Sequence, residues 1–262
     1  MTAIVGVLCR DGLVIGTDSS TTFGSGLGPP TIEQPTEKLK IVSNAIVIAG
    51  TGQVGLGQRF GRIVEAAYQE NVFRASHHHT TVGTELCKRT IADFASTNVK
   101  QGQYGALVGF PLGDKACLCE FPVSDFQPEF KTETMWYCSM GSGQPITDPF
   151  LALMREVFWQ NGLPSIQDAI FAATWALDHA IQVNPGGING PARIAVLEKK
   201  AGKFVARLVE TADLDEHRQN IDQAKERLRS FPSSQSADAP DTPDVPKPSA
   251  GQLPQSSAAS SN

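Results

Sequence analysis

The apolar stretch that opens the chain is the feature that most constrains how it can fold. Residues 4–8 form a nearly unbroken apolar run, Asp11-Gly12 supplies the residues of a hairpin turn, and residues 13–15 begin a second strand. The first residues of a globular chain usually fray unless the fold ties them down. We therefore expect the first strand to be buried, with Thr2 held directly in front of it.

Composition limits the classes of binding partner that we expect for the chain and the cellular compartment in which we expect it. The chain has 262 residues and a formal net charge of −5 without a basic cluster, so it shows no electrostatic footprint for nucleic acid. No charged lead precedes a long apolar run, so we expect neither a signal peptide nor a membrane partner. An odd number of cysteines without a disulfide framework is typical of a reducing cytoplasm, which is the compartment we predict. The cysteines are Cys9, Cys87, Cys117, Cys119 and Cys138.

Apolar periodicity predicts paired strands, two helices, paired strands, two helices and paired strands, in that order. Hairpin turns are predicted at Ser43-Asn44 and Gly113-Asp114, and a helix is predicted to begin at Asp148-Pro149. Strands joined by hairpins are antiparallel, and helices inserted in pairs belong in layers outside the sheets. The pattern therefore predicts an α+β fold, a four-layer αββα sandwich of two antiparallel sheets.

Composition changes near residue 231. From there on Ser, Pro, Ala and Asp dominate, and no apolar period survives. Such a segment cannot bury enough apolar surface to fold on its own. We expect one domain over residues 2–231 that ends in a polar helix, followed by a disordered tail over residues 232–262.

Thr2 is the first candidate for chemistry. Methionine is normally removed ahead of a small residue, and its removal would leave Thr2 with a free α-amine. An amine with an ordinary pKa of about 8 beside a hydroxyl makes one residue both nucleophile and proton acceptor. Many proteins begin with Met-Thr for no such reason, so the alternative is an ordinary N-terminus.

Two charged residues strengthen the catalytic interpretation. Asp18 follows the second strand, which runs back beside the first, so we expect it near Thr2. Lys38 stands at the start of a later strand. If buried, Lys38 would lower the proton affinity of the amine and the hydroxyl, while Asp18 would keep the lysine charged. The alternatives are a turn aspartate and a solvated lysine at a strand end.

Four segments resemble one family in order and in spacing. They are TAIVGVLCRDGLVIGTDSSTT, TEKLKIVSNAIVIAGTG, MGSG and AIQVNPGGINGPARIAVL. Over about residues 2–209 the chain resembles proteasome β-subunits, which are threonine N-terminal nucleophile hydrolases with the αββα fold. Threonine directly after methionine, without a propeptide, is most similar to the bacterial relatives. The ancestral β-subunit, the β-proteobacterial proteasome homologue and the peptidase of the ATP-dependent hexameric-ring protease all stay open.

The resemblance implies a catalytic role for five residues. They match the nucleophile, the buried acid, the buried lysine, the glycine whose N–H points into the oxyanion hole, and the serine near the threonine amine: Thr2, Asp18, Lys38, Gly52 and Ser142, respectively. A tetrahedral oxyanion needs a donor that is fixed in advance, and losing one costs about 3 kcal/mol.

One position departs from the family pattern. The later carboxylate that supports the amine of the nucleophile falls at Asn184, and Gly186 or Gly187 takes the place of the following serine. An amide can still form hydrogen bonds, but it brings no charge. The bacterial hexameric-ring peptidases also lack an aspartate there, so the resemblance still implies activity, with the turnover rate left open.

The resemblance also implies a substrate pocket and an assembly. Family pockets for the side chain before the cleaved bond use positions that match Thr21, Thr22, Thr36, Gly50 and Val54. The small residues among them indicate an open, mainly apolar pocket without charge. The resemblance further implies a peptide or polypeptide substrate, a homo-oligomeric ring or double ring, and no cofactor. It leaves room for an ATP-driven unfoldase or activator.

Two other functions stay open at this point. The first keeps the fold but hydrolyses small amides, as other N-terminal nucleophile enzymes do. The second is a catalytically silent, structural ring subunit. A scaffold has no need of the five matching residues, so their joint presence favours the peptidase.

The histidine run at Ser76–His79 raises the question of a metal site. Three consecutive histidines cannot all face one ion on a regular helix or strand, and no matching cysteine or carboxylate spacing surrounds them. We therefore expect an exposed loop between two helices, and no metal.

Overall fold

The computed structural model describes residues 1–23, 32–160, 162–184 and 187–236. By its contacts the chain divides into two units, Met1–Ile221 and Asp222–Asn262. Both large sheets lie in the first unit. The described part of the second unit continues the last helix to Ser236.

The elements follow the predicted order of strand pairs and helix pairs. The strands are β1 (Ile4–Cys9), β2 (Gly12–Thr17), β3 (Ser20–Phe23), β4 (Ile32–Pro35), β5 (Leu39–Val42), β6 (Ile46–Gly52), β7 (Tyr104–Leu112), β8 (Lys115–Phe121), β9 (Glu129–Phe130), β10 (Tyr137–Met140), β11 (Arg193–Lys200) and β12 (Lys203–Leu208). The helices are α1 (Val54–Gln69), α2 (His79–Ala95), α3 (Gln144–Phe158), α4 (Ile166–Val183) and α5 (Thr211–Ser236).

Two five-stranded antiparallel sheets form the centre of the first unit. The first sheet has the order β10-β1-β2-β11-β12, and the second has the order β5-β6-β7-β8-β9. Strands β3 and β4 pair separately as a two-stranded sheet. The predicted α+β class with two antiparallel sheets is confirmed.

Three apolar clusters define the four layers. One packs the outer face of the first sheet against α3 and α4, with Val5 and Leu177 among its buried residues. A second packs the other sheet against α1 and α2 around Phe60. The third lies between the sheets and includes Ile4 and Leu107. The run that opens the chain is apolar at nearly every position because successive side chains of β1 point to opposite faces, and both faces are buried.

The turn signals held for the hairpins but failed for one helix. Ser43 and Asn44 both take a positive φ of 50° between β5 and β6, as the turn prediction requires. The predicted start of a helix at Asp148-Pro149 is wrong, because α3 already begins at Gln144, with Pro145 in its first turn. Asp148 instead accepts a hydrogen bond from the Ser139 hydroxyl at 2.5 Å.

The last helix extends into the segment predicted to be a disordered tail, residues 232–262. Helix α5 continues to Ser236, so residues 232–236 are helical rather than disordered. The remainder of that prediction, residues 237–262, lies outside the described residues. The single domain over residues 2–231 stays a prediction. None of the described helices combines the length and the apolar character that a membrane crossing needs.

The histidine run leads into α2: Ser76, His77 and His78 precede the helix and His79 is its first residue, so the predicted loop between the helices holds only for the first three. His78 is the N-cap of α2, and its ring accepts a hydrogen bond from the backbone N–H of Thr80. His77 contacts the Val72 carbonyl oxygen through Nδ1 at 2.8 Å. Two of the three histidines thus have local structural roles.

Candidate active site

Thr2 is held by the turn that follows β10. Its side chain and backbone are only 9% exposed, and its carbonyl oxygen accepts a hydrogen bond from the Gly143 N–H at 3.0 Å. Gly141 has a φ of +87°, and a Cβ at that position would stand 2.4 Å from the Thr2 carbonyl oxygen. Only glycine therefore allows this turn to approach the start of the chain so closely.

Lys38 and Asp18 form a buried ion pair beside the Thr2 hydroxyl. Lys38 Nζ lies 2.7 Å and 2.9 Å from the two carboxylate oxygens of Asp18, and 3.2 Å from Thr2 Oγ1. The side chains are 5% and 0% exposed, respectively. Asp18 also accepts the backbone N–H of Ala3 at 2.9 Å. The proximity predicted from chain order is therefore present, and neither charged residue is a solvated strand end.

Burial sets the protonation behaviour of Lys38. Desolvation lowers the pKa of its ammonium group, and the charge and hydrogen bonds of Asp18 act in the opposite direction without cancelling that effect. The result is a lysine that is more ready than usual to give up a proton, placed within hydrogen-bond distance of a threonine hydroxyl.

The backbone nitrogen of Thr2 faces Ser142. It donates a hydrogen bond to Ser142 Oγ at 3.0 Å, and the Met1 carbonyl oxygen accepts one from Lys38 Nζ at 2.9 Å. Met1 itself is exposed. Burial and, next, the Lys38 charge lower the pKa of the Met1 α-amine. The same lysine and the same serine would surround a Thr2 amine once Met1 is removed.

Gly52 ends β6 and lies on the wall of a cavity that Thr2 also lines. Its φ is +110°, and a Cβ there would stand 2.2 Å from the Gln103 carbonyl oxygen, so no side chain is accommodated. The structure thus brings Gly52 to the same cavity as the predicted nucleophile. Its role as an oxyanion donor stays a prediction.

A cavity of about 240 Å³ opens beside Thr2 and Lys38. Four of the predicted pocket residues line it: Thr21, Thr36, Gly50 and Val54. Thr22 lies on β3, where it is paired with Glu33, but its side chain is outside the description. The expectation of a pocket without charge is wrong, because Lys40 and Glu37 also line the cavity.

The sequence did hold a signal for Lys40. Strand side chains alternate between two faces, so a residue two positions after Lys38 belongs on the same side of the chain. The small residues of the pocket, taken alone, give no indication of this charge. Tyr104, which also lines the cavity, comes from β7, and only the pairing of β7 with β6 brings it there.

Asn184 lies at the C-terminal cap of α4. Its backbone N–H donates to the Ala180 carbonyl oxygen at 3.1 Å, which closes the last turn of the helix. Of the two glycines predicted to replace the serine, Gly187 has a φ of +112°, and Gly186 is outside the described ranges. A supporting role for Asn184 at the amine stays a prediction.

Within the described ranges, no group of three or more His, Cys, Asp or Glu side chains could hold a metal ion.

Comparison with known sequences decides the family. A family model described as proteasome subunit matches residues 2–181, which is more than half of the chain. The chain belongs to the proteasome family. A proteasome subunit beta from Methanococcus maripaludis is 26% identical over 192 residues, which cover 72% of this chain and 80% of that protein. One from Methanocella paludicola is 23% identical over 216 residues, covering 78% and 95%, respectively.

Solved structures support the proteasome-family fold. An ancestral β-subunit (Anbu) from Yersinia bercovieri matches with a TM-score of 0.62 and 14% identity, over 92% of this chain and 99% of the other. A mutant of Anbu from a Hyphomicrobium species matches with a TM-score of 0.64 and 13% identity, over 90% and 100%. At such low identity these neighbours establish the fold alone.

Proposed function

We propose that this proteasome-family chain is a threonine-type endopeptidase subunit whose nucleophile is Thr2 after removal of Met1. The observation that carries the proposal is the contact of Lys38 Nζ with Thr2 Oγ1 at 3.2 Å, with Lys38 itself held by a fully buried Asp18. A scaffold gains little from a buried charge pair beside a hydroxyl, because desolvation of the two ions offsets much of their attraction.

In the first step, the free α-amine of Thr2 takes the proton of its own hydroxyl as Oγ1 attacks the substrate carbonyl carbon. The positive charge of Lys38 stabilises the oxygen that loses the proton, and Ser142 Oγ, 3.0 Å from the nitrogen, orients the amine. We assign stabilisation of the tetrahedral oxyanion to the Gly52 N–H.

The protonated amine then gives its proton to the leaving nitrogen, and the carbon–nitrogen bond breaks. The product of this step is an ester between Thr2 and the acyl part of the substrate. Water then attacks the ester, with the amine again accepting a proton, and the threonine hydroxyl is restored. Asn184 would support the amine by hydrogen bonding without adding charge.

We further propose that the chain works in a cytoplasmic homo-oligomeric ring or double ring on peptides or unfolded polypeptides. Membership of the proteasome family supports assembly of this kind. The proposal leaves room for an ATP-driven unfoldase or activator. No cofactor takes part in the steps above.

Intact mass spectrometry after incubation with a peptide epoxyketone tests the nucleophile, because this reagent reacts with a threonine hydroxyl and its free α-amine together. We expect a mass that lacks methionine and carries one inhibitor. Thr2→Ala should abolish the adduct, whereas Thr81→Ala on the exposed face of α2 should keep it.

Two results would contradict the proposal. Retention of Met1 would exclude the amine as base. Loss of Met1 without an adduct would favour a silent ring subunit. An adduct together with faster hydrolysis of simple amides than of fluorogenic peptides would instead favour the amidohydrolase alternative.

A further inference from the structure

Tyr104 presents its hydroxyl to the cavity beside Thr2, where no described residue forms a hydrogen bond with it. The residue is 5% exposed, and its hydroxyl makes no hydrogen bond to any described residue. That hydroxyl is the atom nearest to where a Cβ on Gly50 would stand, at 2.4 Å, and Gly50 lines the cavity. Because no described residue accepts its proton, this hydroxyl is free to donate a hydrogen bond to a side chain that enters the cavity and displaces water.

The Tyr104 hydroxyl can act as a donor at any physiological pH. Burial raises the pKa of the phenol well above its ordinary value, so it keeps its proton. The Tyr104 O–H therefore lines the cavity as a hydrogen-bond donor, and its natural partner is an acceptor oxygen.

Lys40 brings a positive charge to the same cavity. Its stem lies along Gly61, where a Cβ would stand 3.2 Å from both Cδ and Nζ. Its ion-pair partner, Glu65, is 3.8 Å away, which is longer than a hydrogen bond and leaves its N–H donors for a ligand. The carboxylate of Glu37, which also lines the cavity, accepts a hydrogen bond from Arg193 at 3.1 Å.

Three glycines leave the space that the side chains of Tyr104 and Lys40 occupy. Side chains at Gly50 or Gly57 would meet the Tyr104 ring or hydroxyl, the closest atoms lying at 2.4 Å and 3.3 Å. A side chain at Gly61 would meet Lys40. The cavity is therefore a built feature, with room made on one wall for a phenol and on another for an ammonium group.

We propose that this cavity selects an acidic side chain on the substrate residue whose carbonyl Thr2 attacks. A carboxylate accepts hydrogen bonds from both donors, and one of these is charge-assisted. A lysine or arginine side chain would meet the charge of Lys40. An aliphatic side chain would take water away from the Tyr104 hydroxyl without replacing the hydrogen bond.

The inference rests on the proposed function, because the side chain before the cleaved bond enters this cavity only if Thr2 is the nucleophile. Two measurements keep the two ideas separate. One is kcat/KM on fluorogenic tripeptides that differ only in the last residue, Glu, Gln, Leu or Lys. The other is the Kd of the matching blocked tripeptides that end in a free carboxylate, which are products and need no turnover.

For the wild-type chain, we expect kcat/KM for the Glu peptide to exceed that for the Gln peptide by about tenfold, and Kd to follow the same order. Lys40→Gln should bring the Glu-to-Gln ratio close to one, and Lys40→Glu should make the Lys peptide the preferred one. Tyr104→Phe keeps the ring packing and should weaken Glu and Gln alike. Lys88→Gln, on the exposed side of α2, should change neither ratio.

The outcomes are distinguishable. Preference for Glu in binding without any turnover supports the acidic pocket and contradicts the peptidase. Turnover with equal Kd and equal kcat/KM for Glu and Leu peptides overturns the acidic pocket and leaves the peptidase standing. A Glu preference that Lys40→Gln does not reduce also overturns the assignment.

Discussion

Two buried lysines in this molecule look alike and behave in opposite ways. Lys38 and Lys131 have side chains that are 5% and 6% exposed, and each lies 2.7 Å from a carboxylate, Asp18 and Glu120, respectively. Yet the pKa of Lys38 is lowered and that of Lys131 is raised. Equal burial and equal distance therefore do not fix the protonation behaviour of a lysine.

The difference comes from what else each ammonium group touches. Burial lowers the pKa of both. At Lys131 the charges and hydrogen bonds of two carboxylates, Glu120 and Glu129, act against burial. Lys38 has one carboxylate, which it shares with the Ala3 N–H, and its remaining donors face a hydroxyl and a carbonyl oxygen. The ammonium group of Lys131 is thus matched by two carboxylates, whereas that of Lys38 has one carboxylate and also contacts the Thr2 hydroxyl.

The largest expected effect separates the two lysines by activity. Lys38→Met should lower kcat/KM on a fluorogenic peptide by about 10³-fold, because the charge that stabilises the reacting oxygen is lost. Lys131→Met should change kcat/KM by no more than about threefold, since Lys131 takes no part in the proposed mechanism. Activity assays on both folded variants check this, and equal losses would contradict the comparison.

A smaller effect separates the two acids by stability. Asp18→Asn leaves the Lys38 charge buried without its partner and should lower the free energy of unfolding by about 3 kcal/mol or more. Glu120→Gln leaves Lys131 with Glu129 at 2.5 Å and should cost about 1 kcal/mol. Urea unfolding of the two variants measures both. A larger loss of unfolding free energy for Glu120→Gln than for Asp18→Asn would contradict this ranking of the two ion pairs.

The smallest expected effect is a loss of stability at alkaline pH that comes from the Cys117 thiol. Burial raises the pKa of the Cys117 thiol from 9.0 to about 11. The folded thiol holds its proton more tightly than the unfolded thiol, so unfolding releases protons above about pH 9, and rising pH favours unfolding. We expect the free energy of unfolding to fall by roughly 1–2 kcal/mol between pH 9 and pH 11 on this account.

Cys117→Ser provides the control, because serine does not titrate in this range. Its free energy of unfolding should fall less steeply than that of the wild-type chain over the same interval. The raised pKa of Lys131 acts in the same direction as the thiol, whereas the lowered pKa of Lys38 acts against it. An identical slope in the variant and the wild-type chain would assign the decline to other groups.

Sequence reasoning succeeded where a local pattern decides the structure. Turn pairs such as Ser43-Asn44 fix where a chain reverses, and the apolar runs between them fix the strands. It failed where two local signals compete. Pro145 and Pro149 both suit a helix start, and only the turn at Gly143 shows that the earlier one was used.

The site shows the same division. Asp18 could be placed near Thr2 from chain order, because adjacent antiparallel strands bring their ends together, whereas Lys38 joined them only through the family resemblance. The chemistry of the pocket could not, since the Tyr104 hydroxyl reaches it from the partner strand of β6. The short pairing of β3 with β4 was also missed, because its polar residues carry no apolar period.

The glycines of the turn after β10 have a consequence for protein design. Gly141 leaves room for the Thr2 carbonyl group, and a Cβ on Gly143 would stand 2.7 Å from the Ala3 Cβ. The reactive end of the chain and this turn, 140 residues apart in sequence, therefore pack directly against each other. A design that transfers the nucleophile to another scaffold must therefore include this turn and must keep glycine at both positions.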